Sequence, residues 1–291
     1  MTDDPTPTTL RRQLGAQLRE LRQAKGKTAA EVARDLQFSV SKISRMESGA
    51  RAVSEPDIAA LIAYYGVAHE LAEALVETAR AGRRRRDAWV DVASTGSDFQ
   101  KFVQSGFVEL ERDADFIREF NSGVVPGLLQ TKRYMQAMMD AAEPTRQDVV
   151  DKAIELRLSR QGRLAQTGRY SVIIDEAALA RVVGGASVMA EQLGALGKRM
   201  DTGAVDARII PFTSGFHPGL NSVFIALTMG GPGVPDAVFI EGLIGFQKFD
   251  GADEVARFEH VWQELLTCAA SESQSRALVE ARRSAYEGSS R

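Results

Sequence analysis

Residues 28–51 read TAAEVARDLQFSVSKISRMESGAR and decide how the N-terminal part of the chain folds. Thr28 is followed three residues later by Glu31, a capping-box pattern that predicts the start of a helix. After a tight turn, Ser39 can cap a second helix, which ends before Gly49. The stretch therefore predicts two short helices joined by a turn of a few residues.

The second helix, predicted over residues 39–48, carries few apolar side chains. A helix that only packs on a core needs an apolar stripe at positions i, i+3, i+4 and i+7. Ile43 and Met46, with Val40 at the edge, supply the apolar surface. Among the other positions, Ser41, Lys42, Ser44 and Arg45 are short or basic. Such residues suit a helix in the major groove, because bulky side chains would clash with base edges.

Single positions of this helix have expected partners on DNA. Arg45 can reach O6 and N7 of guanine with two hydrogen bonds, or contact a phosphate. Lys42 suits a backbone phosphate, and the natural partner of Val40 is a thymine methyl group. Ser41 and Ser44 can donate or accept hydrogen bonds at base edges. We therefore expect this helix to contact DNA.

The same helical spacing continues on both sides of this stretch. Leucines predict a first helix over residues 9–24, and residues 9–82 form a predicted five-helix domain after a disordered tail at residues 1–8. Residues 1–86 hold 15 Lys and Arg against 11 Asp and Glu, whereas the whole chain has a net charge of −3. This asymmetry indicates an electrostatically distinct N-terminal module.

An arginine-rich stretch interrupts the helical pattern. Residues 82–98, GRRRRDAWVDVASTGSD, predict a domain boundary with a linker at residues 83–97. Arg83–Arg86 are either a solvated linker or an arm that contacts phosphates or enters a narrow minor groove. The sequence leaves both interpretations open.

Residues 98–286 mix helical and strand patterns and predict an α+β domain with a mainly antiparallel sheet. YSVIID at residues 170–175 has the β-branched character of a strand, and three further strands are separated by turns that contain Gly and Pro. Residues 114–120 fit a helix or a strand. The expected fold class is multidomain, an all-α domain of five helices followed by this α+β domain.

The composition argues against several other classes of protein. Cys268 is the single cysteine of the 291 residues, so no internal disulfide can form. His69, His217 and His260 have no Cys or His at metal-ligand spacing, and neither a nucleophile elbow nor a P-loop is present. We expect no enzyme activity, no cofactor and no metal. The polar N-terminus and short apolar runs predict a cytoplasmic protein, nucleoid-associated when bound to DNA, with no membrane partner.

Residues 19–51 resemble the helix-turn-helix of the Cro/C1-type, or XRE, transcriptional regulators, whose fold is lambda-repressor-like. The resemblance rests on EVA at residues 31–33, for E-L-A, and on SKISRMESG at residues 41–49, for S-x-I-S-x-x-E-x-G. The family pairs the glutamate of this motif with an arginine of its first helix, which implies a structural ion pair between Glu47 and Arg22.

The resemblance also implies which side chains contact DNA. Where the family usually has Gln at the second position of helix 2, this chain has Ala29, so either Lys27 substitutes or that contact is lost. Residues implied to face bases are Val40, Ser41, Ser44 and Arg45. Residues implied to lie near phosphates are Thr28, Lys42 and Arg51, and the cap residue Ser39 completes the predicted DNA-binding set.

Residues 97–286 resemble the actinobacterial DUF5753 domain that follows this type of helix-turn-helix in antitoxin-like regulators. The strongest match is VVPGLLQTKRYMQAMM at residues 124–139, against I-P-G-L-L-Q-T-x-x-Y-A, with Met135 where Ala is usual. The resemblance implies a small DUF397-type partner protein encoded nearby.

Two groups of residues in this domain are candidates for a partner or ligand surface. The first group follows the Pro126-Gly127 turn and either binds a ligand or packs within the turn. The second group lies in a loop between two strands, and either lines a pocket or protein-binding surface or covers the sheet edge. The first group is Gln130, Thr131 and Tyr134, and the second is Phe212, Phe216 and His217.

Together these features predict a sequence-specific DNA-binding transcriptional regulator. Two-fold operators place half-sites about 34 Å apart, so we expect a homodimer on double-stranded DNA, with the C-terminal domain providing self-association and regulatory input. One alternative is an antitoxin-like protein that mainly binds the DUF397-type partner, with autoregulatory DNA binding. Another is a regulator that senses a small molecule through a pocket in the α+β domain.

Overall fold

The computed structural model describes residues 5–83, 106–141, 147–164, 169–220, 222–230, 233–242 and 245–289. The chain divides into two compact units. Among the described residues, the N-terminal unit holds residues 5–83, Gly106–Ala114 and the described part of Met229–Asp236, and the C-terminal unit holds the others. Most of the predicted linker, residues 84–97, lies outside the described residues.

Five helices form the predicted all-α fold of the N-terminal unit, and local capping signals start most of them. Thr28 forms a capping box with Glu31, and Ser39 and Ser54 accept hydrogen bonds from the backbone N–H three residues later. The first helix begins inside the predicted disordered tail, because Thr6 caps it. The helices are α1 (Pro7–Ala24), α2 (Ala29–Asp35), α3 (Val40–Glu47), α4 (Glu55–Tyr65) and α5 (His69–Ala81).

Two later segments of the chain also belong to this unit. Helix α6 (Phe107–Asp113) is joined to the start of α1, since the Thr6 N–H and the Thr9 hydroxyl both donate to Asp113 Oδ2 at 2.6 Å. The buried Arg12 donates to the carbonyl of Asp236 at 3.1 Å. Both segments fall within the range that the sequence predicted for the α+β domain. Their contacts with α1 span more than a hundred residues of chain, so no local sequence signal could reveal them.

The C-terminal unit contains a six-stranded mixed sheet in the order β3-β2-β1-β4-β5-β6. The β1–β2 and β2–β3 pairs are parallel, whereas the three pairs from β1 through β4 and β5 to β6 are antiparallel. The sheet is therefore mostly antiparallel, as predicted. The strands are β1 (Phe116–Asn121), β2 (Tyr170–Asp175), β3 (Asp206–Ile210), β4 (Phe224–Thr228), β5 (Ala237–Gly242) and β6 (Gly245–Phe249).

Helices cover this sheet and pack on one another. Phe120, Phe224 and Val238 of the sheet pack with Trp262 and Leu265 in one buried apolar cluster. The described helices of this unit are α7 (Lys132–Ala141), α8 (Gln147–Leu164), α9 (Glu176–Ala180), α10 (Ala186–Asp201), α11 (Ala252–Cys268) and α12 (Glu272–Ser289). Short 3₁₀ helices are present at Gly127–Leu129 and Phe212–Ser214.

Candidate nucleic-acid interface

Helix α3 has one face inside the N-terminal unit and one face in solvent. Ile43 and Met46 are 1% exposed and join a core built from all five helices. On the opposite side Val40 is 51% exposed, although an apolar side chain gains free energy from burial. The other exposed side chains of this face are Ser41, Ser44 and Arg45.

A largely buried ion pair joins Glu47 of α3 to Arg22 of α1. Arg22 donates from Nε to Glu47 Oε1 at 2.6 Å and from its second terminal nitrogen to Glu47 Oε2 at 2.9 Å. A third hydrogen bond joins Arg22 to the carbonyl of Lys27 at 2.8 Å, at the entrance to α2. The hydrogen bonds to Glu47 raise the pKa of Arg22 above its ordinary value. The structure thus brings together the two residues of the predicted pair and links α1, α3 and the α1–α2 turn through them.

Two glycines let α1 and α3 approach closely. A Cβ atom at Gly15 would lie 2.5 Å from the carbonyl oxygen of Glu47. Gly49, just after α3, has φ +68°, and a Cβ atom there would lie 2.8 Å from the backbone of Arg12. The axis of α3 is therefore fixed against α1 by backbone contact as well as by the ion pair. Gly15 lies inside a regular helical pattern, so its spacing alone does not predict this contact.

Lys42 lies in a different environment from the one predicted for a phosphate contact. Its Nζ atom is 2.6 Å from Asp57 Oδ1 and 3.6 Å from the ring centroid of Phe38. The ammonium group therefore bridges α3 to α4 and to the α2–α3 turn. A phosphate contact would require this ion pair to open, and no sequence pattern marks Asp57 as a competing partner.

The remaining predicted DNA-binding residues lie at helix starts or in solvent. The Thr28 hydroxyl bonds with Glu31, and the Ser39 hydroxyl accepts from the Lys42 backbone at 3.1 Å. Arg51 is exposed just beyond α3. Thr28 and Ser39 thus act as helix caps at the starts of α2 and α3, and Thr28, Ser39 and Arg51 are all exposed to solvent.

Two further expectations concern positions beside this face. Ala29 packs partly buried against the helical core, and Lys27 lies 4.0 Å from Glu31. Lys27 lies two residues before Ala29 in the chain, and its ammonium group is directed at the Glu31 carboxylate. Of the predicted arginine arm, Arg83 donates to Glu55, and residues 84–86 lie outside the described residues.

The first candidate surface group of the C-terminal unit lies mostly inside the protein. Gln130 is 3% exposed, donates to the carbonyl of Val125 at 2.7 Å and accepts from Arg157 at 2.7 Å. Tyr134 is fully buried, and its burial raises the pKa of the phenol. Thr131 caps the backbone N–H of Tyr134 at 3.3 Å. These positions favour the structural alternative that the sequence left open.

Three polar side chains, two buried and one half-buried, hold the same segment and were not identified from the sequence. The carbonyls of Leu128, Leu129 and Gln130 accept hydrogen bonds at 2.8–2.9 Å. These side-chain hydrogen bonds satisfy backbone carbonyls that burial would otherwise leave unpaired. The donors are Arg199, Gln192 and Gln161, respectively. Burial lowers the pKa of Arg199.

The second candidate group separates into a buried and an exposed part. His217 is 1% exposed, and its Nε2 lies 2.9 Å from Asp175 Oδ2. Phe212 and Phe216, in the same loop, are 56% and 81% exposed. A histidine in this position anchors the loop, whereas the two phenylalanines are exposed to solvent.

Neither a metal cluster nor a membrane-spanning helix is found where the structure describes the chain. Within those residues, no group of three or more His, Cys, Asp or Glu side chains is placed to hold an ion. In the same part of the chain, the helices are too short or too polar to cross a bilayer.

Comparison with known families agrees with this geometry. Residues 13–75 match the model of a helix-turn-helix domain, which places the N-terminal unit in a class of DNA-binding folds. Residues 104–281 match the model of a domain of unknown function, DUF5753, and the chain belongs to that family. Both resemblances inferred from the sequence are thereby confirmed. No curated protein and no solved structure matches the chain significantly.

Proposed function

We propose that this chain is a sequence-specific, non-enzymatic transcriptional regulator that inserts α3 into the major groove of DNA. The observation that carries the proposal is the division of α3 into two faces. Ile43, Met46 and Glu47 are buried in the unit, while Val40, Ser41, Ser44 and Arg45 are exposed together. An exposed face of small, hydroxyl and basic side chains suits base edges, which present hydrogen-bonding groups and thymine methyls.

The contacts divide into those that read bases and those that position the protein. Arg45 is the strongest candidate for base readout, because its side chain is exposed and its Nε is only loosely engaged, 3.3 Å from the Ser41 carbonyl. Thr28 and Arg51 are the candidates for phosphate contact at the two ends of the motif. Lys42 stays in its ion pair with Asp57 and positions α3 instead of contacting phosphate.

A substitution at Arg45 tests the base contact directly. DNA sites are first selected from a random pool with the wild-type chain, and affinities for selected and unselected sites are then measured by fluorescence anisotropy. Arg45→Ala should reduce the difference in binding free energy between selected and unselected sites by about 1–3 kcal/mol. Arg133→Ala, an equal change of charge at an exposed residue of the C-terminal unit, is the matched control and should leave discrimination unchanged.

A second variant separates phosphate contact from base readout. Arg51→Ala should weaken binding to all sites alike and reduce the salt slope of log affinity by about 0.9. An Arg45→Ala chain that selects the same sites with unchanged affinity would contradict the proposed orientation of α3.

Self-association completes the proposed function. A helix of eight residues spans only about 12 Å, so one copy reads few base pairs. Two copies on half-sites one helical turn apart would double the contact and account for a two-fold operator. We assign this association and the regulatory input to the C-terminal unit.

A further inference from the structure

The loop between β3 and β4 displays apolar side chains on the surface of the C-terminal unit. Phe212 is 56% exposed, Phe216 is 81% exposed and Leu220 is 45% exposed. Single exposed apolar residues are common, but three large ones within ten residues of one loop are a concentration of apolar exposure that marks a candidate interaction site. We call this surface, comprising residues 211–220, the aromatic loop.

The aromatic loop is held in place by hydrogen bonds at its start and in its centre and by close packing near its end. The Phe212 N–H donates to Glu176 at 2.8 Å, the Ser214 hydroxyl donates to the Cys268 carbonyl at 2.8 Å, and the buried His217 bonds Asp175. Gly219 packs so closely on Phe120 that a Cβ atom would clash with the ring. The exposed rings are thus presented by a fixed backbone, which lowers the entropy lost on binding.

A groove of about 570 Å³ opens beside the aromatic loop. Pro211 and Ser214 of the loop line one wall, and Ala277, Leu278 and Ala281 of α12 line the other. Few polar side chains line it, and two of them are engaged, since the Ser214 hydroxyl donates to the Cys268 carbonyl and Gln274 Oε1 accepts from the Ser271 N–H. A small polar ligand would find few groups to orient it, so the groove suits an apolar side chain.

The charge pattern around the groove points to a second copy of the chain as its occupant. None of the described residues that line the groove is charged. Arginines on α12 are already paired with carboxylates, Arg282 with Glu176 and Arg276 with Asp201. Nucleic acid or an anionic membrane would require basic residues that are free to contact it. A two-fold interface uses the same surface twice, so any charge close to the axis would meet a like charge. A protruding ring and an apolar groove side by side complement each other across such an axis.

We propose that two copies of the C-terminal unit associate through this surface, with Phe216 of each copy inserted in the α12 groove of the other. The proposal rests on the proposed function, because it names the surface for the self-association that the function requires. Phe216 and the groove then contact each other twice, once in each direction, as a two-fold interface demands.

The test compares oligomeric state by sedimentation velocity on the full chain, which needs no DNA and so is independent of whether the chain is a DNA-binding regulator. The wild type should be dimeric. Phe216→Asp, and separately Ala277→Lys in the groove, should each raise the dissociation constant at least about thirtyfold. Leu158→Asp, at an exposed position of α8, is the matched control and should remain dimeric.

Mixing the two variants makes the test specific for the proposed pairing. In a mixed dimer one contact joins the introduced carboxylate to the introduced ammonium group, and the other keeps the native Phe216 and Ala277. An equimolar mixture of Phe216→Asp and Ala277→Lys should therefore regain dimers. Cys268, which lines the groove, provides a second readout, because its reaction with a thiol reagent should slow as dimers form. A monomeric wild type, a dimeric Phe216→Asp chain or a mixture that stays monomeric would each overturn the proposal.

Discussion

Replacement of Glu47 by Ala should destabilise the N-terminal unit and thereby disorder the proposed recognition helix. Glu47 accepts two short hydrogen bonds from Arg22, at 2.6 and 2.9 Å. The two side chains are only 6% and 14% exposed. Removal of the carboxylate would leave the guanidinium in a poorly solvated place without its counter-charge.

The expected loss of stability follows from that geometry. Truncation of one partner of a buried ion pair costs about 3–5 kcal/mol. We expect about 3 kcal/mol, at the lower end of that range, because Arg22 keeps its hydrogen bond to the Lys27 carbonyl and some contact with water. Glu47→Gln, which keeps an acceptor but loses the charge, should cost about 1–2 kcal/mol.

Hydrogen exchange measured by mass spectrometry on the full chain resolves the two units. Peptides from α2 and α3 should exchange faster in Glu47→Ala by a factor that corresponds to the lost stability, while peptides from the β-sheet serve as an internal reference. Glu73→Ala, at a position with a 71% exposed side chain in the same unit, is the matched control and should change little. Unchanged exchange in α3 combined with an altered DNA preference would refute a structural role for the pair.

Two further predictions concern the same unit. Gln37, exposed in the turn before α3, adopts φ +56°, a region that costs a non-glycine residue about 1 kcal/mol, so Gln37→Gly should stabilise the unit by about 0.5–1 kcal/mol in urea unfolding. Ala30→Gly in α2 should instead destabilise the unit by about 1 kcal/mol, because Gly is a poorer helix former than Ala. Burial raises the pKa of Tyr65 to about 12, above its unfolded value near 10. The buried neutral phenol therefore contributes fully to the free energy of unfolding below pH 10, and this contribution is lost as the pH rises toward 12. The stability of Tyr65→Phe should fall less than that of the wild type over this pH range.

The helices of the N-terminal unit could be predicted because their start signals are local in sequence. Thr28, Ser39 and Ser54 each bond the backbone three residues on, a contact that no distant residue needs to arrange. The exposed face of α3 follows from the same local information. Once Ile43 and Met46 point inward, helical geometry places Ser41, Ser44 and Arg45 elsewhere.

The position of a flexible charged side chain was less predictable. Lys42 is compatible with a phosphate contact by its type and helix position. Its actual partner, Asp57, is brought near by the packing of α4 against the rest of the unit. The same limit applies to Gln130 and Tyr134, which a sequence pattern cannot distinguish from ligand-binding residues before their burial is known.

Two strands of the sheet could not be identified from the hydrophobic periodicity of the sequence. Strand β1 places Glu119 inside the unit, where it accepts a hydrogen bond from the Tyr170 hydroxyl at 2.6 Å. A buried carboxylate interrupts the alternation by which a strand is recognised, and residues 114–120 accordingly fit either state. Strand β6, five residues at the sheet edge with Gly, Gln and Lys, was not predicted at all.

The boundary between the two units shows most clearly that sequence families and structural units differ. The DUF5753 match begins at residue 104, yet Gly106–Ala114 belongs to the unit that carries the helix-turn-helix. Asp113 accepts two hydrogen bonds from the first turns of α1, and Asp236 accepts one from Arg12. Helix α1, on which α3 packs, is thus held by Asp113 and Asp236, which lie just before β1 and β5 in the chain. A helix-turn-helix cut from the chain at residue 83 would lose these partners, so DNA binding is best studied in the intact protein.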